Sequence, residues 1–87
     1  MGLKYVIHRV DANAHAIIDD LEKIGVQCWP LGGKGNPDVL TLWQGKFLPL
    51  EIKSAKGKLR ESQRLIPWPV VRTTDEALLW IGVKRVV

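Results

Sequence analysis

The sequence predicts a small α/β domain in which a mixed β-sheet is flanked by helices. Three observations predict it: an amphipathic helical segment near the start, a β-hairpin in the middle, and a second helix opened by a Thr-x-x-Glu capping pattern. The chain has 87 residues, enough for one domain over 1–87 with a modest core. With 46% hydrophobic and 25% charged residues, its composition is that of a globular protein rather than a disordered one.

The first helix is predicted from a capping residue to a glycine stop. Asp11 or Asn13 can cap its N-terminus, and it should run to about Ile24, where Gly25 supplies the left-handed conformation that ends many helices. Its apolar stripe consists of Ile17, Ile18, Leu21 and Ile24. Residues 3–9 could form a short strand or an ordered arm.

The remaining elements follow from alternation, turn residues and breakers. Strands are predicted at 26–29, 39–43, 46–53 and 70–72, with a Gln44-Gly45 turn joining the second to the third. A short helix is predicted over 59–66, ended by Pro67, and a last helix begins at Thr73 and runs to about Ile81. The predicted order is α-β-β-β-α-β-α.

Composition also bounds the location of the protein. The longest apolar runs fall short of the roughly 20 residues that a membrane span needs, and residues 1–5 lack the apolar core of a signal peptide. The lone Cys28 cannot form an internal disulfide, which favours a reducing cytoplasm and a core position for this residue. The four tryptophans are expected in the core or in a dimer interface.

Positive charge is concentrated in the middle of the chain. Residues 34–72 contain eight basic and three acidic side chains, for a balance of +5 within a total of +4. This excess suggests a polyanionic partner, although solvated lysines on loops are the simpler alternative. The candidate phosphate contacts are Lys34, Lys56, Lys58, Arg60 and Arg64.

Two carboxylates and an ammonium group are expected to meet on one surface of the hairpin. Asp38 opens the strand before the turn, and Glu51 lies on the returning strand with Lys53 two positions later, on the same face. Mg²⁺ prefers one or two carboxylates together with waters and substrate oxygens, and Mn²⁺ should substitute for it. Lys53 could orient or deprotonate the attacking water, or stabilise the pentacovalent state. This combination suits hydrolysis of phosphodiesters.

The motif Pro37-Asp38, a hairpin, and then Glu51-Ile52-Lys53 resembles the signature of the PD-(D/E)xK nuclease superfamily. The glycine before Pro-Asp, the short chain and the Leu-Arg-Glu-Ser-Gln segment at 59–63 make the sequence resemble the VRR-NUC branch, the virus-type replication-repair nucleases found in phages and related to Holliday-junction resolvases. The resemblance covers about residues 10–82.

This resemblance implies a role for each matching residue. Asp38 and Glu51 would be metal ligands together with the backbone carbonyl of Ile52, Lys53 would be the catalytic lysine, and Gln63 would lie near the site and contact water or phosphate. It also implies a restriction-endonuclease-like core and a DNA-repair endonuclease cutting branched DNA as a homodimer, in a bacterial or phage-infected cell. A small-molecule substrate is not expected.

One position departs from the family pattern. The family usually places a Glu on the first helix, whereas this chain has Asn13 near the equivalent position. Asn13 can ligate through its amide oxygen, and Asp11 or His15 could substitute for it. Two other functions therefore stay open: a degenerate nuclease-fold module that binds branched DNA without cutting it, and an interaction protein with a tryptophan-rich surface.

Overall fold

The computed structural model describes residues 12–54 and 66–84. These residues form two helices and four strands in the order α1 (Ala12–Lys23), β1 (Gln27–Pro30), β2 (Val39–Trp43), β3 (Lys46–Ile52), β4 (Val70–Val71) and α2 (Thr74–Ile81). The small mixed α/β class is therefore confirmed. The segment at 3–9 lies outside the described residues, and so does the helix expected over 59–66 except for its last residue. The full predicted order therefore stays a prediction.

Helix α1 ends one residue earlier than its apolar pattern suggests. Gly25 adopts a φ of 99°, and the Val26 N–H donates to the Leu21 carbonyl at 3.0 Å, which closes the last turn. Because the helix stops at Lys23, Ile24 lies beyond the buried stripe and is 45% exposed. The expectation that Ile24 belongs to the core stripe is wrong, and Ala14 is buried on that face instead.

The β2–β3 hairpin forms at the predicted turn. Gln44 and Gly45 both have positive φ, 49° and 79°, as a two-residue hairpin loop with the right-handed strand twist requires. The strand register pairs Val39 with Leu50 and Trp43 with Lys46. Continued by one residue, this register places Asp38 opposite Glu51.

The sheet has the strand order β1-β2-β3-β4, antiparallel except for the parallel pair β3–β4. Side chains alternate between two faces, and α1 packs with the strands in one core cluster on what we call the inner face. The opposite, outer face carries Gln27 and Trp29 of β1, Leu40 and Leu42 of β2, and Phe47, Pro49 and Glu51 of β3.

Helix α2 is the last element that the structure describes, and it packs against the core. Thr73 is its N-cap, and its hydroxyl accepts a hydrogen bond from the Glu76 N–H at 3.1 Å, while Gly82 ends the helix with a φ of 90°. Ala77 and Leu78 pack into the core. Neither α1 nor α2 is long and apolar enough to cross a bilayer.

Candidate functional site

The structure brings Asp38 and Glu51 together at the end of the hairpin. The Asp38 N–H donates to the Leu50 carbonyl at 3.0 Å, which continues the β2–β3 ladder beyond the pairing of Val39 with Leu50. Asp38 therefore lies opposite Glu51. The Asp38 carboxylate accepts a hydrogen bond from the Ile52 N–H at 2.8 Å, and this contact fixes its orientation beside β3.

Glu51 is only 7% exposed, and its carboxyl has three polar neighbours, Trp68, Lys53 and Asp38. The Trp68 indole N–H donates to its Oε1 at 3.2 Å, and the Lys53 ammonium lies 3.8 Å from its Oε2. Burial raises the pKa of Glu51 above its ordinary value, and the adjacent Asp38 charge raises it further. The Trp68 hydrogen bond and the Lys53 charge act in the opposite direction and lower that pKa. A cation beside these two carboxylates would relieve their mutual repulsion.

Trp68 is a site residue that the sequence does not assign to the site. It lies between Pro67 and Pro69, and the Pro69 carbonyl accepts a hydrogen bond from the Glu51 N–H at 2.9 Å. The backbone beside Trp68 and its indole N–H thus both contact Glu51. The sequence signal is the Pro-Trp-Pro segment, whose fixed φ angles restrict the backbone, but its partner depends on the parallel pairing of β3 with β4.

The backbone of Ile52 faces the Asp38 side of β3. Glu51 and Lys53 pair with β4, since the Lys53 N–H donates to the Val71 carbonyl at 3.0 Å, whereas the Ile52 N–H donates to Asp38. The N–H and C=O groups of one strand residue lie on the same side of that strand. The Ile52 carbonyl therefore lies on the Asp38 side of β3, and its role as a ligand stays a prediction.

Asn13 lies in the first turn of α1, beside the end of β3. Its amide nitrogen donates to the Lys53 carbonyl at 2.7 Å and to the Arg72 carbonyl at 3.2 Å. Asn13 is therefore not the N-cap that it could have been from sequence, because α1 already begins at Ala12. It ties α1 to the ends of two strands, next to the catalytic candidates. His15 is half-buried on the same helix, and Asp11 lies outside the described residues.

Four of the five predicted phosphate contacts lie outside the described residues. Lys34 is exposed in the loop before Asp38. Arg72, part of the basic excess, is tied to the fold: its guanidinium donates to the Ser54 carbonyl and its backbone N–H donates to Glu76 at 2.6 Å. The predicted site residues outside the described ranges are Gln63, Lys56, Lys58, Arg60 and Arg64.

The donors at this site fit a hard divalent cation that keeps several waters. Within residues 12–54 and 66–84, no cluster of three or more His, Cys, Asp and Glu side chains is placed to hold a metal. Two adjacent carboxylates and a backbone carbonyl are nevertheless a sufficient protein share for Mg²⁺, which rarely takes a complete set of protein ligands. They would not suit Zn²⁺, which prefers nitrogen and sulfur ligands in a closed site.

No family model matches this chain, and comparison with curated proteins and with solved structures finds no match either. The assignment of function therefore depends on the chemistry of the Asp38–Glu51 site.

Proposed function

We propose that this chain is a Mg²⁺-dependent endonuclease domain that hydrolyses phosphodiesters in branched DNA. One observation carries the proposal: the Asp38 carboxylate, immediately before β2, lies beside the Glu51 carboxyl of β3, with the Lys53 ammonium 3.8 Å from Glu51. Adjacent carboxylates, one of them buried, are unfavourable without a cation.

Each residue of the site has a distinct task in this proposal. Asp38, Glu51 and the Ile52 carbonyl would hold the cation. When bound, the cation would supply positive charge to the phosphate oxygens and acidify the attacking water. Lys53 would exchange its contact with Glu51 for one with the scissile phosphate, where its charge stabilises the pentacovalent state.

The topology supports a PD-(D/E)xK core of the restriction-endonuclease type. Helix α1 precedes three antiparallel strands, Asp38 comes immediately before the second of these, Glu51 lies on the third, and β4 joins β3 in parallel. In keeping with the VRR-NUC resemblance, we propose a homodimer that places two sites on the two strands of a junction. The DNA would be recognised through its shape and backbone.

A second candidate function is a non-catalytic module that binds branched DNA. The observation in its favour is Asn13, which the resemblance places near the position of the usual helical Glu and whose amide nitrogen donates to two backbone carbonyls. An amide engaged in this way adds no negative charge to the site. The site would then bind a cation more weakly than one with three carboxylates.

Cleavage of a labelled four-way junction and of a matched linear duplex tests the proposal. With Mg²⁺ or Mn²⁺, the parent should nick the junction near its branch, and EDTA should abolish the reaction. Asp38→Ala and Lys53→Ala should each lower the rate by roughly 10²-fold or more, because each removes a group that acts in the transition state. Asp19→Ala and Lys23→Ala, on the exposed side of α1, are the matched controls and should cleave like the parent.

Two results would contradict this mechanism. If Lys53→Ala cleaves as fast as the parent, the lysine has no catalytic role. Tight junction binding by the parent without cleavage in either metal would instead support the non-catalytic module. Circular dichroism of each variant establishes that a lost rate is not a lost fold.

A further inference from the structure

Two large aromatic side chains are exposed together on the outer face of the sheet. Trp29 on β1 is 43% exposed and Phe47 on β3 is 61% exposed. Their ring centroids are 6.2 Å apart and their planes are inclined by 37°, so the pair spans the intervening strand β2. Single exposed apolar residues are common, whereas two large rings in contact form a contiguous apolar patch that a ligand can cover.

This aromatic pair lies on the same face as the carboxylates. In the strand register, Trp29 is opposite Leu40, which is opposite Pro49. The next cross-strand row on this face holds Asp38 and Glu51. Trp29 is therefore one row, roughly 7 Å, from the carboxylates, and Phe47, in the row of Gln27 and Leu42, is two rows or roughly 14 Å away. These spans match about two and four stacked nucleotides at about 3.4 Å each.

We propose that Trp29 and Phe47 form a stacking platform for the bases of an unpaired DNA strand that leaves the Asp38–Glu51 site. This inference rests on the proposed function and narrows its substrate to DNA with a single-stranded segment beside the cleavage point, such as a fork or flap. Bases of an intact duplex already stack on each other, so their faces are hidden. Only an unpaired strand offers these faces to protein aromatic rings.

The charges along this path favour a polyanion. Lys34 is exposed in the loop that leads into Asp38, and Lys53, on the same face as Glu51, lies 3.8 Å from that carboxylate. Lys53 therefore supplies a cation at the carboxylate end of the path to the aromatic pair, and Lys34 precedes Asp38 by four residues. Backbone phosphates can contact these cations while the bases stack on the rings, an arrangement typical of single-strand binding surfaces.

The size of the patch favours a DNA strand over a second copy of the chain. A stable protein interface buries about 800 Å² on each partner and involves about 20–30 residues. The exposed apolar part of the outer face consists of Trp29 and Phe47, with the half-buried Leu40, Leu42 and Pro49 between them. Such a narrow strip is large enough for two or three bases.

Fluorescence anisotropy with a labelled oligothymidine, a forked duplex and a blunt duplex tests the platform. All measurements are made in EDTA, so that binding is separated from cleavage. Trp29→Ala and Phe47→Ala should each weaken binding of the oligothymidine and of the fork by about 5- to 100-fold, the loss expected for one base stack. Binding of the blunt duplex should stay unchanged, and Trp29→Phe should restore most of the affinity.

The matched control is Leu79→Ala, which removes an apolar side chain that is 82% exposed on α2. It should bind all three DNAs like the parent. Unchanged single-strand affinity in both aromatic variants would overturn the platform. If those variants also change from dimer to monomer in light scattering, the face is instead an interface between copies.

The same variants separate this inference from the proposed function. Metal-dependent cleavage of a four-way junction, with single-strand affinity unaffected by both substitutions, would retain the nuclease and overturn the platform. Aromatic-dependent single-strand binding without any cleavage by the parent would retain the platform and overturn the nuclease.

Discussion

At the scale of single residues, Glu51 is the centre of the site because its neighbours control its charge. Burial and Asp38 favour the neutral carboxyl, whereas Trp68 and Lys53 favour the carboxylate. The side chain is held from three directions: by the indole N–H, by the ammonium of Lys53, and by the strand pairing of its own backbone with Pro69. In the proposed metal site, a carboxylate with so little freedom would need little further ordering on cation binding.

Replacing Trp68 with Phe should weaken cation binding. The substitution keeps the ring but removes the N–H that fixes Glu51 Oε1. We expect affinity for Mn²⁺ to fall by about 3- to 10-fold, the equivalent of about one hydrogen bond. Titration calorimetry or electron paramagnetic resonance of Mn²⁺ measures this change without cleavage, and Trp80→Phe, at a tryptophan 59% exposed on α2, is the control. Equal affinity in the two variants would show that the indole does not position the ligand.

Replacing Glu51 with Gln should change how stability depends on pH. Because folding raises the pKa of Glu51, the folded state holds this proton more tightly than the unfolded chain. Glu51 therefore lowers the free energy of unfolding as the pH rises from the ordinary pKa of a glutamate through the raised value. In EDTA, Glu51→Gln should gain stability relative to the parent between pH 4 and pH 8, as measured by urea unfolding.

Magnesium provides the second half of this test. At pH 8, Mg²⁺ should increase the free energy of unfolding of the parent, by about 2.7 kcal/mol at a concentration 100 times its dissociation constant. Glu51→Gln should respond much less. A parent that becomes more stable relative to the variant as the pH rises in EDTA would contradict the assigned pKa shift.

At the scale of elements, the hairpin turn and the helix ends follow from local sequence. The elements against which they pack do not. Gln44-Gly45 makes the turn, Gly25 and Gly82 end the helices, and Thr73 caps α2, as short-range chemistry predicts. The error at Ile24 arises because apolar periodicity continues past the point where Gly25 stops the helix. Apolar periodicity indicates which face of a helix is buried, whereas a backbone signal such as the left-handed Gly25 determines where the helix ends.

The hairpin turn offers a direct test of this local control. Gln44 has a φ of 49°, a conformation that Asn adopts at lower free energy than Gln. Gln44→Asn should therefore raise the free energy of unfolding by up to about 1 kcal/mol, measured by urea denaturation. Gly45→Ala should do the opposite, because its φ of 79° disfavours any side chain. A destabilised Gln44→Asn would mean that the Gln44 side chain has an additional role.

At the scale of the whole molecule, the chain is basic, with a net charge of +4 and a balance of +5 within residues 34–72 of the sequence. The two candidate classes, DNA-binding protein and protein-binding protein, predict different responses to salt. If about five phosphates are neutralised, the affinity for duplex DNA should fall by roughly 10²- to 10³-fold between 50 and 200 mM salt. Anisotropy titrations measure this slope, and binding insensitive to salt would favour a protein partner instead.

The sequence by itself determined the mixed α/β class, the hairpin and the placement of Asp38 opposite Glu51. These features depend on contacts between residues close in the chain, where turn type and side-chain alternation fix the register. Tertiary structure decided the contacts of Trp68 and Asn13, and the exposure of Trp29 and Phe47. The first two depend on the pairing of Glu51 with Val70 and on α1 reaching the ends of β3 and β4. Local propensities contain no information about such distant partners, because packing of the complete fold selects them.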